Sequence, residues 1–331
     1  MSVALVVGSM AIGWIDKLTE ATSGAWRFLP FDPAQPNPAV VDFEALITPS
    51  YRSGWPAPPT LRLIQVPLVG IDQIDLGAVP STVMICNVTG HDVAVAEYVI
   101  MTMLAAARNL LHIVADFGMG SWGMGSRAGG PLRRELSGAT LGIIGCGGIG
   151  RAIAKRASAL GMRVVGCNRT LGPPPPGVAE LRPLADIAEI VAEADYIVVA
   201  IALTDETRGL IGARVLGRAQ RSAVLINVAR GECVDEAALF DACREQRLGG
   251  AVLDVWYRYP TPSDPAPPPS RFAFHSLPNV VMTPHISAWT TGTVDRRIQQ
   301  IADNLIRLRR AEPLLFCIRS GGMPAGAEAG G

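Results

Sequence analysis

Short apolar runs alternate along the chain with stretches whose apolar residues recur at helical spacing, and that alternation predicts the elements. Residues 3–7, 45–47, 61–66 and 83–87 read as strands, with a helix over 12–21. A loop is expected over 30–38, because the residue before each proline is pushed away from helical angles. A long helix then passes through Ala96, Val99, Met103 and Ala107 to about residue 115. It is too apolar all round to face water, so burial between domains or subunits is expected. Beyond it the alternation becomes regular, with strands over 196–201, 224–228, 251–255 and 280–282 and helices over 184–192, 213–219 and 236–246. Strands alternating with helices make a parallel, doubly wound sheet covered on both faces, with ligand groups supplied by loops at the carboxyl ends of the strands. The Pro-rich inserts 173–176 and 260–269 read as stiff surface loops, a last helix over about 294–310 should pack on the first domain, and 321–331 reads as a disordered tail.

The stretch 141–170, LGIIGCGGIGRAIAKRASALGMRVVGCNRT, organises the second half. Leu141, Ile143 and Ile144 lead into Gly145, Gly147 and Gly150, an Ala-rich helical segment follows, and a second apolar run ends at Cys167. Strand, Gly-rich turn, helix and strand within about thirty residues is the dinucleotide-binding arrangement. The first glycine makes the tight turn, the second lets backbone approach a pyrophosphate, and the third lets helix pack closely on strand. The helix N-terminus offers free N–H groups and a positive dipole end to the phosphates. A tight turn with no ligand would show the same glycines, so the setting carries this reading rather than the spacing alone.

Composition narrows the partners. Nearly half of the 331 residues are hydrophobic, ample for two cores, and the length fits two domains of about 150 residues each. The 29 basic and 29 acidic residues cancel, which leaves no electrostatic footprint for nucleic acid or an anionic membrane and makes a small molecule the expected partner. Cys86, Cys146, Cys167, Cys233, Cys243 and Cys317 are scattered, with no C-x-x-C and no histidine at ligand spacing. They read as small buried hydrophobes in a reducing compartment, with no metal. The run 3–7 has no basic segment before it and soon meets Asp16 and Lys17, so it reads as a first strand rather than a signal peptide. No run reaches about eighteen uninterrupted apolar residues. A cytoplasmic protein without a membrane span is expected.

Three loops after strands hold the polar groups: Asn227-Val228-Ala229-Arg230-Gly231, Asp254-Val255-Trp256 and Thr283-Pro284-His285-Ile286-Ser287. Taken singly, each has a plainer explanation, since Arg230 can cap a helix, Asp254 can be an N-cap and His285 can be a satisfied loop histidine. Together with the glycine turn they form a longer pattern: GCGGIG (145–150), ALTDETRGLIG (202–212), INVARGECVDEAAL (226–239), GGAVLDVW (249–256) and PNVVMTPHIS (278–287), in that order. The chain thereby resembles the D-isomer-specific 2-hydroxyacid dehydrogenases, the family of glyoxylate and hydroxypyruvate reductases, phosphoglycerate dehydrogenase and formate dehydrogenase. The resemblance runs over nearly the whole chain from 69 to 313.

That resemblance implies roles. Arg230 matches the arginine that binds the substrate carboxylate and polarises its carbonyl, for which a planar bidentate fork is suited. His285 matches the acid/base residue that delivers a proton to the carbonyl oxygen. Asp254 matches the residue that holds the nicotinamide amide, and the backbone amides of Val69 and Gly70 match the turn that cradles the substrate carboxylate. Gly145, Gly147, Gly148, Ile149, Gly150, Thr207 and Val228 fall at cofactor-binding positions. The substrate side chain would be read by loops around Leu68, His91 and Trp289.

Two departures from the family stand out. The Glu that usually pairs with the catalytic histidine is replaced by Tyr259 in the run Asp254-Val255-Trp256-Tyr257-Arg258-Tyr259-Pro260. A carboxylate favours a charged imidazole, whereas tyrosine, with a reference pKa of about 10, is neutral near pH 7 and offers only a hydrogen bond. His285 is therefore expected to be protonated less often than in the usual site. Asp92 stands where the formate dehydrogenases carry a substrate-contacting Asn, and is an alternative partner for His285. The second departure concerns the place about twenty residues beyond the glycine turn, where an NAD site carries an acid for the ribose 2′-OH. Asn168, Arg169 and Thr170 stand there, and Arg169 with the Thr170 hydroxyl can bind a 2′-phosphate.

The expectation is thus an α/β protein of two Rossmann-like or flavodoxin-like domains with doubly wound parallel sheets and the active site in the interdomain cleft. Residues 1–98 and 289–331 would bind substrate and 99–288 would bind NAD(P). The chain would be a homodimeric reductase of small 2-oxo acids, preferring NADP(H) with NAD(H) possible. The alternatives are a catalytically weakened NAD(P)H-binding regulatory protein and a hydride transferase on an unusual acid such as formate.

Overall fold

A computed structural model describes residues 1–34, 42–261 and 263–321. The expected tail from 322 onward, the 35–38 part of the first Pro-rich loop and Pro262 of the last insert lie outside the described residues. The chain divides into two compact units, Met1–Gly90 with Thr291–Gly331, and His91–Thr290.

The first unit opens with strand β1 (Ser2–Val6), helices α1 (Ser9–Ile12) and α2 (Ile15–Ala21), then β2 (Trp26–Pro30), β3 (Ala45–Ile47), β4 (Leu63–Gln65) and β5 (Met84–Cys86). The second unit begins with α3 (Asp92–Arg108) and α4 (Leu110–Gly118), followed by β6 (Thr140–Ile144), α5 (Gly148–Ala159), β7 (Arg163–Asn168) and β8 (Glu180–Pro183). It continues with α6 (Ile187–Glu193), β9 (Tyr196–Val199), α7 (Ala213–Leu216), β10 (Val224–Asn227), α8 (Glu236–Arg244), β11 (Gly250–Leu253) and β12 (Val280–Met282). The chain then returns to the first unit with α9 (Thr291–Arg310) and β13 (Cys317–Arg319).

Each unit is built on one sheet. The first has the order β13-β5-β4-β3-β1-β2, parallel except where β13 runs antiparallel beside β5. The second has the order β12-β11-β10-β9-β6-β7-β8 and is parallel throughout. The expected class, α/β with two doubly wound sheets, is the observed one. Strand order reverses between β1 and β3 and between β6 and β9, and ligands bind at such switch points beyond the carboxyl ends of the strands.

Side chains alternate across the second sheet as strand geometry requires. Tyr196 and Val198 face one core with Leu141, Ile143 and Val164, while Ile197 and Val199 face the other with Ile144, Val165 and Leu225. Helix α5 covers the first of these cores with Ile153, Ala154 and Ala157, which recur on one face of its cylinder. In the first unit α9 lays Ile298, Ile301, Leu305 and Leu308 over Ala4, Val6, Leu63 and Cys86.

Two helices differ from expectation. The helix expected over 12–21 is broken at Gly13 and Trp14 into α1 and α2. The long apolar helix ends at Arg108, because Asn109 takes the left-handed conformation (φ 53°), and α4 leaves at a 59° bend. In the single chain Met101, Leu104, Leu111, Val114 and Phe117 are exposed. No single described helix is long and apolar enough to cross a membrane.

Candidate active site

The glycine turn sits at the switch point of the second sheet, after β6. Gly145 has φ 101°, and a Cβ there would stand 2.6 Å from the Ala200 carbonyl oxygen, so only glycine fits. A Cβ at Gly150 would strike the Gly145 carbonyl oxygen, whereas Gly147 faces open space. The turn is pinned by Asn168, whose Oδ1 accepts from the Cys146 N–H at 2.8 Å. Asn168 therefore spends its side-chain oxygen on the turn. Beyond it the Arg169 guanidinium and Thr170 are exposed, and Arg169 lies 3.9 Å from the Glu206 carboxylate. Thr207 is buried, with its hydroxyl accepting from Thr204 N–H at 2.7 Å and donating to the Ala202 carbonyl at 2.7 Å. It shapes its own loop. Val228 is buried just beyond the end of β10, and Ile149 packs on the core beneath α5. Asp92 comes to the same place, with its carboxylate against Gly148 at the first residue of α5 and 3.8 Å from His91 Nδ1.

Neighbouring strands β10, β11 and β12 end side by side, and their loops carry the second group. Asn227 shapes the first of these loops, accepting from Ala229 N–H at 3.1 Å and donating to the Arg230 carbonyl at 2.9 Å. Asp254 is fully buried and shapes the last, accepting from the Thr283 hydroxyl at 2.6 Å and from Ile286 and Ser287 N–H at 2.8 Å each. Because the Thr283 hydrogen goes to Asp254, the buried Tyr98 hydroxyl of α3 donates to Thr283 at 2.7 Å. Burial pushes the Tyr98 phenol up to about 12. These bonds hold His285 in the left-handed region (φ 59°), a conformation costly for a non-glycine residue and kept only where its surroundings impose it.

Tyr259 meets His285 there. Its hydroxyl lies 3.0 Å from His285 Nδ1 and accepts from the Trp256 N–H at 3.1 Å. A charged imidazole donates from Nδ1 to that oxygen, and a neutral one with its proton on Nε2 accepts the phenol hydrogen. Burial pushes the Tyr259 phenol up from its ordinary value, opposed by the Trp256 N–H and the Arg230 charge, so it stays neutral.

The Tyr259 loop is itself anchored. Tyr257 and Arg258 N–H groups donate to the Pro269 carbonyl at 3.2 and 3.1 Å, and the Tyr257 hydroxyl donates to the Val234 carbonyl at 3.0 Å. The buried Glu236 of α8 accepts from the Ser270 hydroxyl at 2.8 Å, the Arg271 N–H at 2.8 Å and the Arg271 guanidinium at 2.7 Å.

In the first unit Val69 and Gly70 form a turn beyond β4, and among the described residues no acceptor takes their N–H groups. The turn is held from behind. The Asn87 amide donates to the Val69 carbonyl at 2.6 Å, Gln65 donates to the Asn87 carbonyl at 3.1 Å, and Asn304 of α9 donates to Gln65 Oε1 at 2.8 Å. Sequence reading missed the roles of Asn87, Gln65, Asn304 and Glu236. Their partners lie far off in the chain or in backbone, and no local pattern announces them.

Comparison with known proteins places this geometry in a family. A profile of the D-isomer specific 2-hydroxyacid dehydrogenase, NAD binding domain, matches residues 100–287. A glyoxylate reductase from Thermococcus gammatolerans is 35% identical over 263 residues, covering 77% of this chain and 75% of that one. The solved 2-hydroxyacid dehydrogenase of Ketogulonicigenium vulgare is 27% identical with a TM-score of 0.82, covering 97% of this chain and 100% of that one. An NADPH-dependent glyoxylate/hydroxypyruvate reductase from Sinorhizobium meliloti, solved with NADP and malonate, is 26% identical with a TM-score of 0.78, covering 98% of this chain and 99% of that one.

Proposed function

The chain belongs to the D-isomer specific 2-hydroxyacid dehydrogenase family, and from that premise we propose that it reduces small 2-oxo acids of the glyoxylate and hydroxypyruvate class to D-2-hydroxy acids, with NADPH preferred over NADH. The observation that carries the reading is the Tyr259–His285 hydrogen bond in the loops beyond β10, β11 and β12, with Arg230 close enough for its charge to act on the Tyr259 phenol. The open backbone at Gly147 and the N-terminus of α5 fit a pyrophosphate, Val228 and Asp254 fall toward the nicotinamide end, and Arg169 with Thr170 would take a 2′-phosphate. When bound, the nicotinamide supplies a hydride to the carbonyl carbon.

The protein's own groups do the rest. The Arg230 guanidinium binds the carboxylate and draws electron density from the adjacent carbonyl. His285 delivers a proton to the carbonyl oxygen from its Nε2 side, while Tyr259 orients the ring through Nδ1. The amides of Val69 and Gly70 are offered to a carboxylate in the first unit. The exposed apolar face of α3 and α4 supports a homodimer formed through the second unit, and the family kinship supports a small-acid partner and a cytoplasmic setting.

Tyr259 gives the imidazolium a dipole where a carboxylate would give a charge. The reduction rate should therefore fall toward tenfold per pH unit within a range of about pH 5.5 to 8.5, and Tyr259→Glu should move that fall to higher pH. Nicotinamide absorbance at about 340 nm, followed with a panel of 2-oxo acids and both cofactors, measures this. A flat profile shared by wild type and Tyr259→Glu would remove the role given to the pair. Tight NADPH binding without turnover of any acid would favour a regulatory nucleotide-binding protein.

A further inference from the structure

Cys86 closes β5 and Cys317 opens β13, and the two residues are directly opposed across this antiparallel pair. The adjoining pair is joined by a backbone hydrogen bond, from the Asn87 N–H to the Phe316 carbonyl at 3.2 Å. Bonded and non-bonded pairs alternate along an antiparallel ladder, so on this side Cys86 and Cys317 make a non-hydrogen-bonded pair, while on the other side the register shifts between Cys317 and Arg319. In such pairs the Cα atoms stand about 4.5 Å apart and the side chains are closest, on the same face. That separation lies inside the window of about 4.4 to 6.8 Å that disulfides span.

The Cys86 and Cys317 side chains act on one another across this pair, and the Cys317 thiol donates to the Arg319 carbonyl at 3.2 Å. Their access differs. Cys317 is exposed, whereas Cys86 is buried like Cys146, Cys167, Cys233 and Cys243. Burial, reinforced by Cys317, pushes the Cys86 thiol up, so it remains protonated until its neighbour is oxidised. A solvent-facing thiol directly opposite a buried one is the arrangement of a peroxide-attacked cysteine beside its resolving partner.

We propose that Cys86 and Cys317 are an oxidisable pair that peroxides convert to a disulfide, stapling β13 to the edge of the first sheet. In the first step the Cys317 thiolate attacks one peroxide oxygen. An S–O bond forms, the O–O bond breaks, hydroxide leaves, and Cys317 becomes a sulfenic acid. In the second step the Cys86 sulfur attacks that of Cys317. The S–S bond forms, the S–O bond breaks, and the departing hydroxide takes the Cys86 proton as water. One peroxide is reduced to two waters as two thiols are oxidised. A disulfide across so short a pair, with one sulfur exposed, belongs to the class that small thiols reduce again. The staple would fix the strand end from which Asn87 holds Val69.

The full-length protein, reduced and freed of reductant, is treated with a few equivalents of hydrogen peroxide, alkylated unfolded, digested without reductant and read by mass spectrometry. Free thiols should drop from six to four, with a linked peptide pair containing Cys86 and Cys317 that dithiothreitol separates. Cys317→Ser should abolish the linkage and leave Cys86 alkylatable. Cys86→Ser should leave Cys317 as a sulfenic acid trapped by dimedone. The inference is overturned if Cys317 proceeds to sulfinic or sulfonic acid with Cys86 free, if the bond joins two chains, or if no thiol is lost under conditions that oxidise glutathione.

Discussion

At the scale of single residues, two side chains set how this site departs from its relatives' usual pattern. Tyr259 replaces a charge by a neutral hydroxyl, whose oxygen is held by the Trp256 N–H. Arg169 replaces an acid at the end of β7, but it does not stand alone, since the Glu206 carboxylate is 3.9 Å away. Both are exposed, so their mutual attraction is weak, and a dianionic 2′-phosphate would compete with Glu206 for the guanidinium. Hydrogen bonds to charged groups contribute about 1.5–3 kcal/mol. Arg169→Ala should therefore lower the preference for NADPH over NADH by roughly tenfold to a hundredfold, with NADH kinetics little changed. Ratios of kcat/KM for the two cofactors measure it, and an unchanged ratio would assign the 2′-phosphate elsewhere.

Elements explain what could be read in advance. Strands β9, β10 and β11 lie inside the second sheet and are almost wholly buried, so their apolar runs stand out in the chain. The strands that sequence reading did not find, β2, β8 and β13, all lie at sheet edges. An edge strand is paired on one side only, and residues such as Glu180, Arg182 and Arg319 break the apolar pattern there. The loops holding Arg230, Asp254 and His285 were legible because each follows an apolar run within a few positions, whereas their expected roles, and Tyr259, came from the family resemblance. Asn304 and Gln65 were not legible, because they meet across 239 positions.

The Pro-rich insert after β11 makes an element-scale prediction of its own. Burial works to raise the Glu236 carboxyl, but the Arg271 N–H, the Arg271 guanidinium and the Ser270 hydroxyl outweigh it and hold the group below its ordinary value. A depressed carboxyl adds stability that is complete above the unfolded value of about 4.3 and is lost as pH falls through the lower folded value. Glu236→Gln turns an amide toward those donors and should cost about 1–3 kcal/mol, or roughly 2–10 °C in Tm, at pH 7. The gap between the melts of wild type and variant should shrink progressively as pH falls below about 4.3. A gap of constant size across that range would mean that the charge on Glu236 contributes nothing.

For the whole molecule, exposed apolar side chains gather along α3 and α4 of the second unit. Met101, Val114, Phe117 and Trp122 are 56%, 62%, 53% and 69% exposed along and just beyond α3 and α4. Contiguous apolar surface of that kind marks an interface in a soluble protein. Leu104→Asp combined with Val114→Asp should halve the mass measured by light scattering and leave the fold intact by circular dichroism. A wild-type monomer would contradict the dimer.

The route of the chain has a consequence for synthesis. The second unit is one continuous stretch, whereas the first sheet waits for α9 and β13, about two hundred residues after β5. At ribosomal rates of about 5–20 residues per second, that interval lasts roughly 10 to 40 s. Throughout it Ala4, Val6, Leu63 and Cys86 have no α9 to cover them. A sheet begun before the second unit is thus finished after it, and the nascent chain carries an open greasy sheet that a chaperone would have to shelter.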